Sequence, residues 1–169
     1  AITISTTGNT TLAGTANNIG TVTAGTIGSD VQVVDLGVDG WHFNMNASID
    51  QNTAGVLDFQ EQIHKGSNIT ESAGTITVGT AGWYLVMAHM SNDASKDDTN
   101  EWYAYKNGSH YGHRTYMDSA AEITYLGQSV SLIVELAATN TIAWRGKGNL
   151  YGAAAPDGMT YFMGFRLGK

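Results

Sequence analysis

The feature that most constrains the fold of this chain is an abrupt change of composition near residue 40. Residues 1–40 contain no aromatic residue, no Lys and no Arg, whereas residues 41–169 contain every Trp, Tyr and Phe of the chain. A Thr- and Gly-rich stretch without aromatic side chains buries too little apolar surface to form a core of its own. We therefore predict an extended stalk or attachment segment over 1–40 and a folded head over 41–169.

Isolated apolar residues recur between glycines in the predicted stalk. Gly8, Gly14 and Gly20 are spaced evenly, and single apolar residues such as Leu12 and Ile19 lie between them. This pattern is too sparse and too rich in Thr for an amphipathic helix. Short β-segments separated by glycine turns fit it better, and three intertwined copies would bury the isolated apolar side chains. The alternative is a flexible linker.

The bulk composition excludes several classes of function. The net charge is −7, which argues against binding to phosphate backbones or to an anionic membrane surface. No apolar run is long enough for membrane insertion. The absence of Cys excludes disulfides, thiolate metal sites and cysteine nucleophiles. Charged residues make up only 14%, and a weakly charged surface rich in Thr, Ser and Asn is typical of exposed extracellular or virion proteins. We predict no cofactor.

Beyond residue 40 the pattern predicts eight or so β-strands and no helix. The run Trp83–Met90 is apolar on both faces, which predicts a central strand covered on both sides. Asn107-Gly108 is a strong signal for a hairpin turn. The segment 56–60 alternates, and so does 129–136, where Val, Leu, Val and Leu share one face. Strands separated by turn residues predict an all-β sandwich or jelly roll.

The order of several short motifs resembles a known superfamily. The motifs are a Thr-x-Thr-Val strand, Gly82-Trp83-Tyr84, Lys106-Asn107-Gly108, a Thr-Ile-Ala-Trp strand and the terminal Phe162-Met163-Gly164-Phe165-Arg166-Leu167. This order resembles the trimeric jelly-roll superfamily of complement globular heads and tumour-necrosis-factor ligands, over residues 41–168. The resemblance implies a compact homotrimer that binds ligands and is not an enzyme. The turn Ala138-Thr139-Asn140 lacks the acidic residue common in the family, so a calcium role there does not carry over.

A set of large apolar residues is predicted to fill the core and the interface between three copies. A single chain that exposed them all would associate, and closed symmetry is the usual solution. The set is Trp83, Tyr84, Phe162, Phe165 and Leu167.

Aromatic residues cluster on either side of the predicted hairpin turn. Exposed aromatic rings stack on sugar rings, and neighbouring polar side chains hold hydroxyl groups by hydrogen bonds. We expect either Tyr103 or the pair Trp102 and Tyr105 to lie in the core; the alternative is that all of them fill the core and the subunit interface. Tyr116 and Tyr125 belong to the same cluster. The candidate ligand-binding residues are Trp102, Tyr103, Tyr105, His110, Tyr111 and Arg114.

No metal site is predicted, although one loop is a weak candidate for a hard cation. Asp93, Asp97 and Asp98 supply oxygen atoms, but their spacing does not match an EF-hand, and a solvated loop is the simpler interpretation. His110 and His113 are expected to lie near His89, and they lie three apart in a strand, so they face opposite sides. A histidine could make the assembly sensitive to pH.

Enzyme activity is not predicted. The chain has no Gly-x-Ser-x-Gly nucleophile elbow. The carboxylates of Asp58 and Glu61 could in principle act on a glycoside, but depolymerising fibres are usually long β-helices, for which this chain is too short.

Stalk and head together predict a structural and binding protein of a virion fibre on the virion surface, most simply a phage tail or head fibre. The trimeric head would bind a host-surface glycan or protein, and the stalk would bind other virion proteins. The alternative is a capsid-decorating fibre whose stalk anchors to the shell and whose head mainly drives trimerisation. A bacterial adhesin or spore-surface knob with the same fold is a third hypothesis.

Overall fold

The computed structural model describes residues 38–92, 99–118, 126–153 and 157–169. They all belong to one compact unit. The predicted stalk therefore falls outside the described residues, except for its last three positions. Within the described part of the chain, no helix is long and apolar enough to cross a membrane.

Eleven strands lie in the described residues. In chain order they are β1 (Gly40–Asn44), β2 (Ala47–Val56), β3 (Glu61–Lys65), β4 (Ile69–Ser72), β5 (Thr75–Val78), β6 (Gly82–Asn92), β7 (Thr99–Lys106), β8 (Ser109–Asp118), β9 (Leu126–Leu136), β10 (Thr141–Ala153) and β11 (Tyr161–Gly168). The all-β prediction is confirmed, and the three strands beyond the predicted eight come from the region between β1 and β6.

The strand pairings form two layers. The first sheet has the order β3-β1-β11-β6-β9, and every pairing in it is antiparallel. The second sheet has the order β4-β5-β10-β7-β8, and β2 pairs with β10 beyond the end of β5. One pairing, Leu150 with Asn92, joins the layers. This arrangement of two packed antiparallel sheets is a jelly-roll sandwich.

The core lies between the sheets and follows the strict alternation of each strand. Tyr84, Val86, Ala88 and Met90 of β6 point inward and are at most 2% exposed. From the opposing sheet, β10 contributes Ile142 and Trp144, and β7 contributes Trp102 and Ala104. From β1 and β11 come Trp41, Phe43 and Phe162. Tyr84 and Phe162, two of the residues predicted for the core and the subunit interface, therefore lie in the core.

Two local predictions have different outcomes. Asn107 and Gly108 both have positive φ, which is the geometry of a tight hairpin turn, and Lys106 pairs with Ser109 across it. The strand predicted over 56–60 is wrong beyond Val56, where β2 ends. Leu57 and Phe59 are nevertheless buried, because the backbone N–H of Leu57 donates to the carbonyl of Trp144 and holds this segment against the second sheet.

A network of polar groups closes one end of the sandwich. Asp39 accepts hydrogen bonds from Thr80 and Asn68, at 2.7 and 3.1 Å, and forms an ion pair with Arg166 at 3.6 Å. The Tyr84 hydroxyl donates to the carbonyl of Thr80. Burial raises the pKa of Tyr84 to about 12, with the charge of Asp39 adding to the rise and that of Arg166 opposing it. These contacts join β6 and β11 to the segment that leads into β1.

The glycine of the terminal Phe-x-Gly-Phe motif has a packing role. Gly164 pairs with Trp41, and a Cβ atom at this glycine would overlap the Trp41 indole, which is 2% exposed. The indole also contacts Tyr84 and Phe162, with ring centroids 6.0 and 5.6 Å apart. The glycine therefore lets a large ring lie flat against the sheet.

We expect Gly164→Ala to lower the free energy of unfolding by about 1–3 kcal/mol, because the added methyl group would overlap the buried Trp41 indole. Urea unfolding measures the change. Gly55→Ala is the matched control, since its nearest neighbour is the movable amide end of Gln51, at 2.9 Å. Equal stability of the two variants would contradict the packing role.

Candidate functional site

The outer face of the first sheet carries a continuous set of apolar side chains, here called the apolar face. These side chains alternate with those that point into the core, so they project away from the sandwich. The apolar face consists of Trp83, Leu85, Met87, Ile133, Met163, Phe165 and Leu167.

The strand register makes the apolar face continuous across three strands. Leu85 pairs with Phe165 on one side and with Ile133 on the other. Met87 pairs with Met163 in the next row. Trp83 is 43% exposed and Ile133 is 59% exposed. Among the described residues, nothing covers these two side chains fully, so β6 is packed on one face only within a single chain.

Three histidines border the apolar face. The Tyr161 ring stacks on His89 and contacts His42 edge-on, with centroids 5.6 and 5.7 Å away. His89 Nδ1 lies 2.8 Å from Ser129 Oγ. Burial lowers the pKa of His89, and burial also lowers the pKa of His42, where a hydrogen bond with Asn44 opposes the effect and the neighbouring His64 adds to it. The neutral forms of His42 and His89 are therefore favoured at the border of this face.

A hollow of about 320 Å³ lies beside these histidines. Its lining consists of Gly40, Trp41, His42, His64, Met163, Gly164 and Phe165. The hollow is continuous with the apolar face, because Met163 and Phe165 belong to both.

The outer face of the second sheet has a different chemistry and is here called the aromatic–cationic face. The Arg114 guanidinium lies 4.9 Å from the centre of the Tyr103 ring, and the Arg145 guanidinium lies 5.1 Å from that of Tyr105. The face consists of Glu101, Tyr103, Tyr105, His110, Arg114, Tyr116, Arg145 and Lys147.

The structure divides the predicted ligand-binding residues between the core and this face. Tyr103, Tyr105, His110 and Arg114 meet on the outer face. Trp102 is 1% exposed and lies in the core, which removes it from the predicted set.

Two details of that prediction also change. Tyr111 packs against the core, because it pairs with inward-facing Ala104. The expectation that Trp102 and Tyr105 share a face is wrong, because residues three apart in a strand face opposite sides. Tyr105 instead shares its face with Tyr103.

The residues predicted for the core and the subunit interface divide between the core and the apolar face. Trp83, Phe165 and Leu167 belong to the apolar face, whereas Tyr84 and Phe162 belong to the core.

The expected proximity of His89 to the hairpin histidines is wrong. His89 lies on the outer face of the first sheet and His110 on the outer face of the second, so the core separates them. Among the described residues, no group of three His, Asp or Glu side chains could hold a metal ion. The weak candidates Asp93, Asp97 and Asp98 lie outside the described residues.

Sequence reasoning missed Arg145 and Lys147. Both residues lie an odd number of positions after Trp144 in the same strand, so an inward-facing Trp144 would have predicted that they face outward. Their position beside Tyr103 and Glu101 depends on the pairing of β10 with β7, which no local signal reveals.

Comparison with known proteins supports the fold. No family model matches the sequence, and no curated protein matches it either. The crystal structure of murine APRIL is similar to this chain with a TM-score of 0.59 and 14% sequence identity, over 76% of this chain and 98% of that one. Identity at this level shows a shared fold alone, and the fold is that of the TNF-like jelly roll.

The half-buried His89 gives a prediction of how stability changes with pH. The folded state lowers the pKa of His89 from 6.5, so the unfolded chain binds more protons below that pH and stability falls on acidification. We expect His89→Gln to reduce the fall in unfolding free energy between about pH 7.5 and 5, a range that spans the ordinary titration of histidine. Chemical denaturation at several pH values measures it. Identical slopes for the variant and the unaltered protein would contradict the assignment.

Proposed function

We propose that residues 41–169 form the self-associating, non-catalytic head of a virion fibre, in which three copies pack through their apolar faces. The head then presents its aromatic–cationic faces outward to a ligand on the host surface. The stalk over 1–40 would bind other virion proteins.

The observation that carries the proposal is the apolar face. Single-chain proteins rarely expose a continuous apolar patch of this kind unless it is a binding surface. Burying each large apolar side chain stabilises an assembly by about 1.5–3 kcal/mol. Several such residues from each copy, Trp83 and Ile133 among them, offset the cost of association.

The choice of three copies rests on the fold. The TNF-like jelly roll supports the resemblance found in the sequence, and that resemblance implies a homotrimer. Three copies around one axis bring the same face of each copy together and leave no open edge that would continue into a filament.

The fibre context rests on composition. A segment without aromatic or cationic residues precedes a folded head, which is the plan of a thin stalk with a globular tip. Three sites in each head, and several fibres on each particle, would raise avidity without tight individual contacts. Electron cryo-microscopy of virus particles assembled with and without this protein tests this context: additional density at the particle surface when the protein is present supports it, and identical particles contradict it.

We expect Ile133→Glu to dissociate the assembly, because three carboxylates would be buried in an apolar interface. Light scattering coupled to size-exclusion chromatography measures the mass, which should fall from that of three chains to that of one. Val56→Glu is the matched control, since Val56 is an aliphatic residue of the second sheet with 39% exposure, and it should keep the mass of three chains. An unaltered mass in both variants would exclude the apolar face as the interface.

A further inference from the structure

We propose that the aromatic–cationic face binds an acidic glycan, a sugar chain that carries carboxylate groups. This inference names the ligand class for the binding role proposed above and rests on it.

The register of three strands arranges the face as a grid of three rows. The middle row is Arg145, Tyr103 and Arg114, taken from β10, β7 and β8. Ala143, Tyr105 and His110 form the row on one side, and Lys147, Glu101 and Tyr116 form the row on the other. The middle row therefore alternates cationic, aromatic and cationic side chains, with Tyr105 in one outer row and with Lys147 and Tyr116 in the other.

The Arg114 guanidinium is fixed in the grid by neighbours on three sides. Its Nε forms an ion pair with Glu101 at 2.8 Å, and one terminal nitrogen donates to the Tyr116 hydroxyl at 3.1 Å. Tyr103 lies beneath its plane. The side chain is still 44% exposed, so the positioned group remains accessible to a ligand. A guanidinium held in this way loses little freedom when it binds a carboxylate.

The second guanidinium is fixed as well. Arg145 donates through Nε and a terminal nitrogen to the carbonyl of Ala54, at 3.3 and 3.0 Å, and lies over Tyr105. Arg145 and Arg114, both held in place, thus lie on either side of Tyr103 in the middle row of the grid.

The charge of the grid is opposite to that of the whole chain. The chain has 8 Lys and Arg against 15 Asp and Glu, yet Arg114, Arg145 and Lys147 meet in this one grid. Glu101 is the single carboxylate in the grid, and it is 9% exposed and paired with Arg114. The accessible charge is therefore positive, and it favours an anionic ligand.

The aromatic rings indicate sugar as the carrier of that charge. Tyr116 is 57% exposed, and Tyr105 is half-buried in the adjoining strand, at the opposite outer row of the grid. Tyrosine rings stack on the apolar faces of pyranoses, and arginine forks bind carboxylates in pairs of hydrogen bonds. The face is the outer surface of a sheet, which suits an extended chain better than a small molecule, because small molecules prefer a concave pocket. Three cations are too few for the footprint that a nucleic-acid backbone requires.

The test is isothermal titration calorimetry of the intact protein with three oligosaccharides. These are a hexamer of galacturonate, a hyaluronan hexamer, which carries a carboxylate on alternate sugars, and the galacturonate hexamer after reduction of its carboxylates to alcohols. We expect at least one carboxylated hexamer to bind, with an affinity that falls as salt is added. The reduced hexamer should bind about tenfold more weakly or worse, because it lacks the charge-assisted hydrogen bonds.

Three variants locate the site. Arg114→Gln and Tyr116→Ala should each weaken binding about tenfold, and both side chains are exposed, so the fold should remain intact. Lys169→Gln removes one positive charge from an exposed position outside the grid and should leave the affinity unaltered. Circular dichroism checks the fold of each variant.

Several outcomes would overturn the proposal. Failure of both carboxylated hexamers to bind would exclude an acidic glycan, and equal binding of the reduced hexamer would exclude a role for the carboxylates. Binding that survives both grid substitutions would place the site elsewhere, and a preference for a DNA oligonucleotide of matched charge would make the ligand a nucleic acid. Light scattering on the same samples separates the two proposals: a three-chain mass without glycan binding overturns this inference alone, whereas a single-chain mass overturns the proposed assembly.

Discussion

Strand β6 is apolar on both of its faces, and the rest of the molecule is arranged around that constraint. Its inward side chains, from Tyr84 to Met90, are covered by the opposing sheet and are essentially inaccessible to water. Its outward side chains, from Trp83 to Met87, join those of β9 and β11 in the apolar face. A single chain buries only the inward side chains of β6, and the proposed association of identical copies would bury the outward ones without a second kind of partner.

In the proposed head, one outer face of the sandwich serves association and the other serves ligand binding. The apolar face has no ion pair among its described members, and burial favours the neutral form of His42 and His89 at its border. The aromatic–cationic face instead keeps its guanidinium groups positioned by a carboxylate, a carbonyl and tyrosine rings. One face is thus suited to permanent burial and the other to reversible contact with a polar ligand. The core between them keeps the two apart.

Local sequence signals predicted what depends on neighbouring residues. A run that is apolar on both faces predicted the strand around Trp83, alternation predicted the strand over 129–136, and Asn107-Gly108 predicted the hairpin, because side-chain direction and turn geometry are decided within a few residues. The pairing of Tyr103 with Arg145, and the separation of His89 from His110, depend on which distant strands become neighbours. Short-range patterns carry no such information, so the candidate site was predicted as a group of aromatic residues without its cations from β10.

Hydroxyl-radical footprinting of the assembled protein tests most directly whether copies cover the apolar face. Trp83 and Tyr116 react readily with radicals and lie on opposite faces, at 43% and 57% exposure in one chain. If three copies pack through the apolar face, Trp83 should react far more slowly than in the urea-unfolded chain, while Tyr116 should react at nearly the unfolded rate. Oxidation of Trp83 as fast as that of Tyr116, each relative to the unfolded chain, would show that the apolar face is open to water and would contradict the assembly.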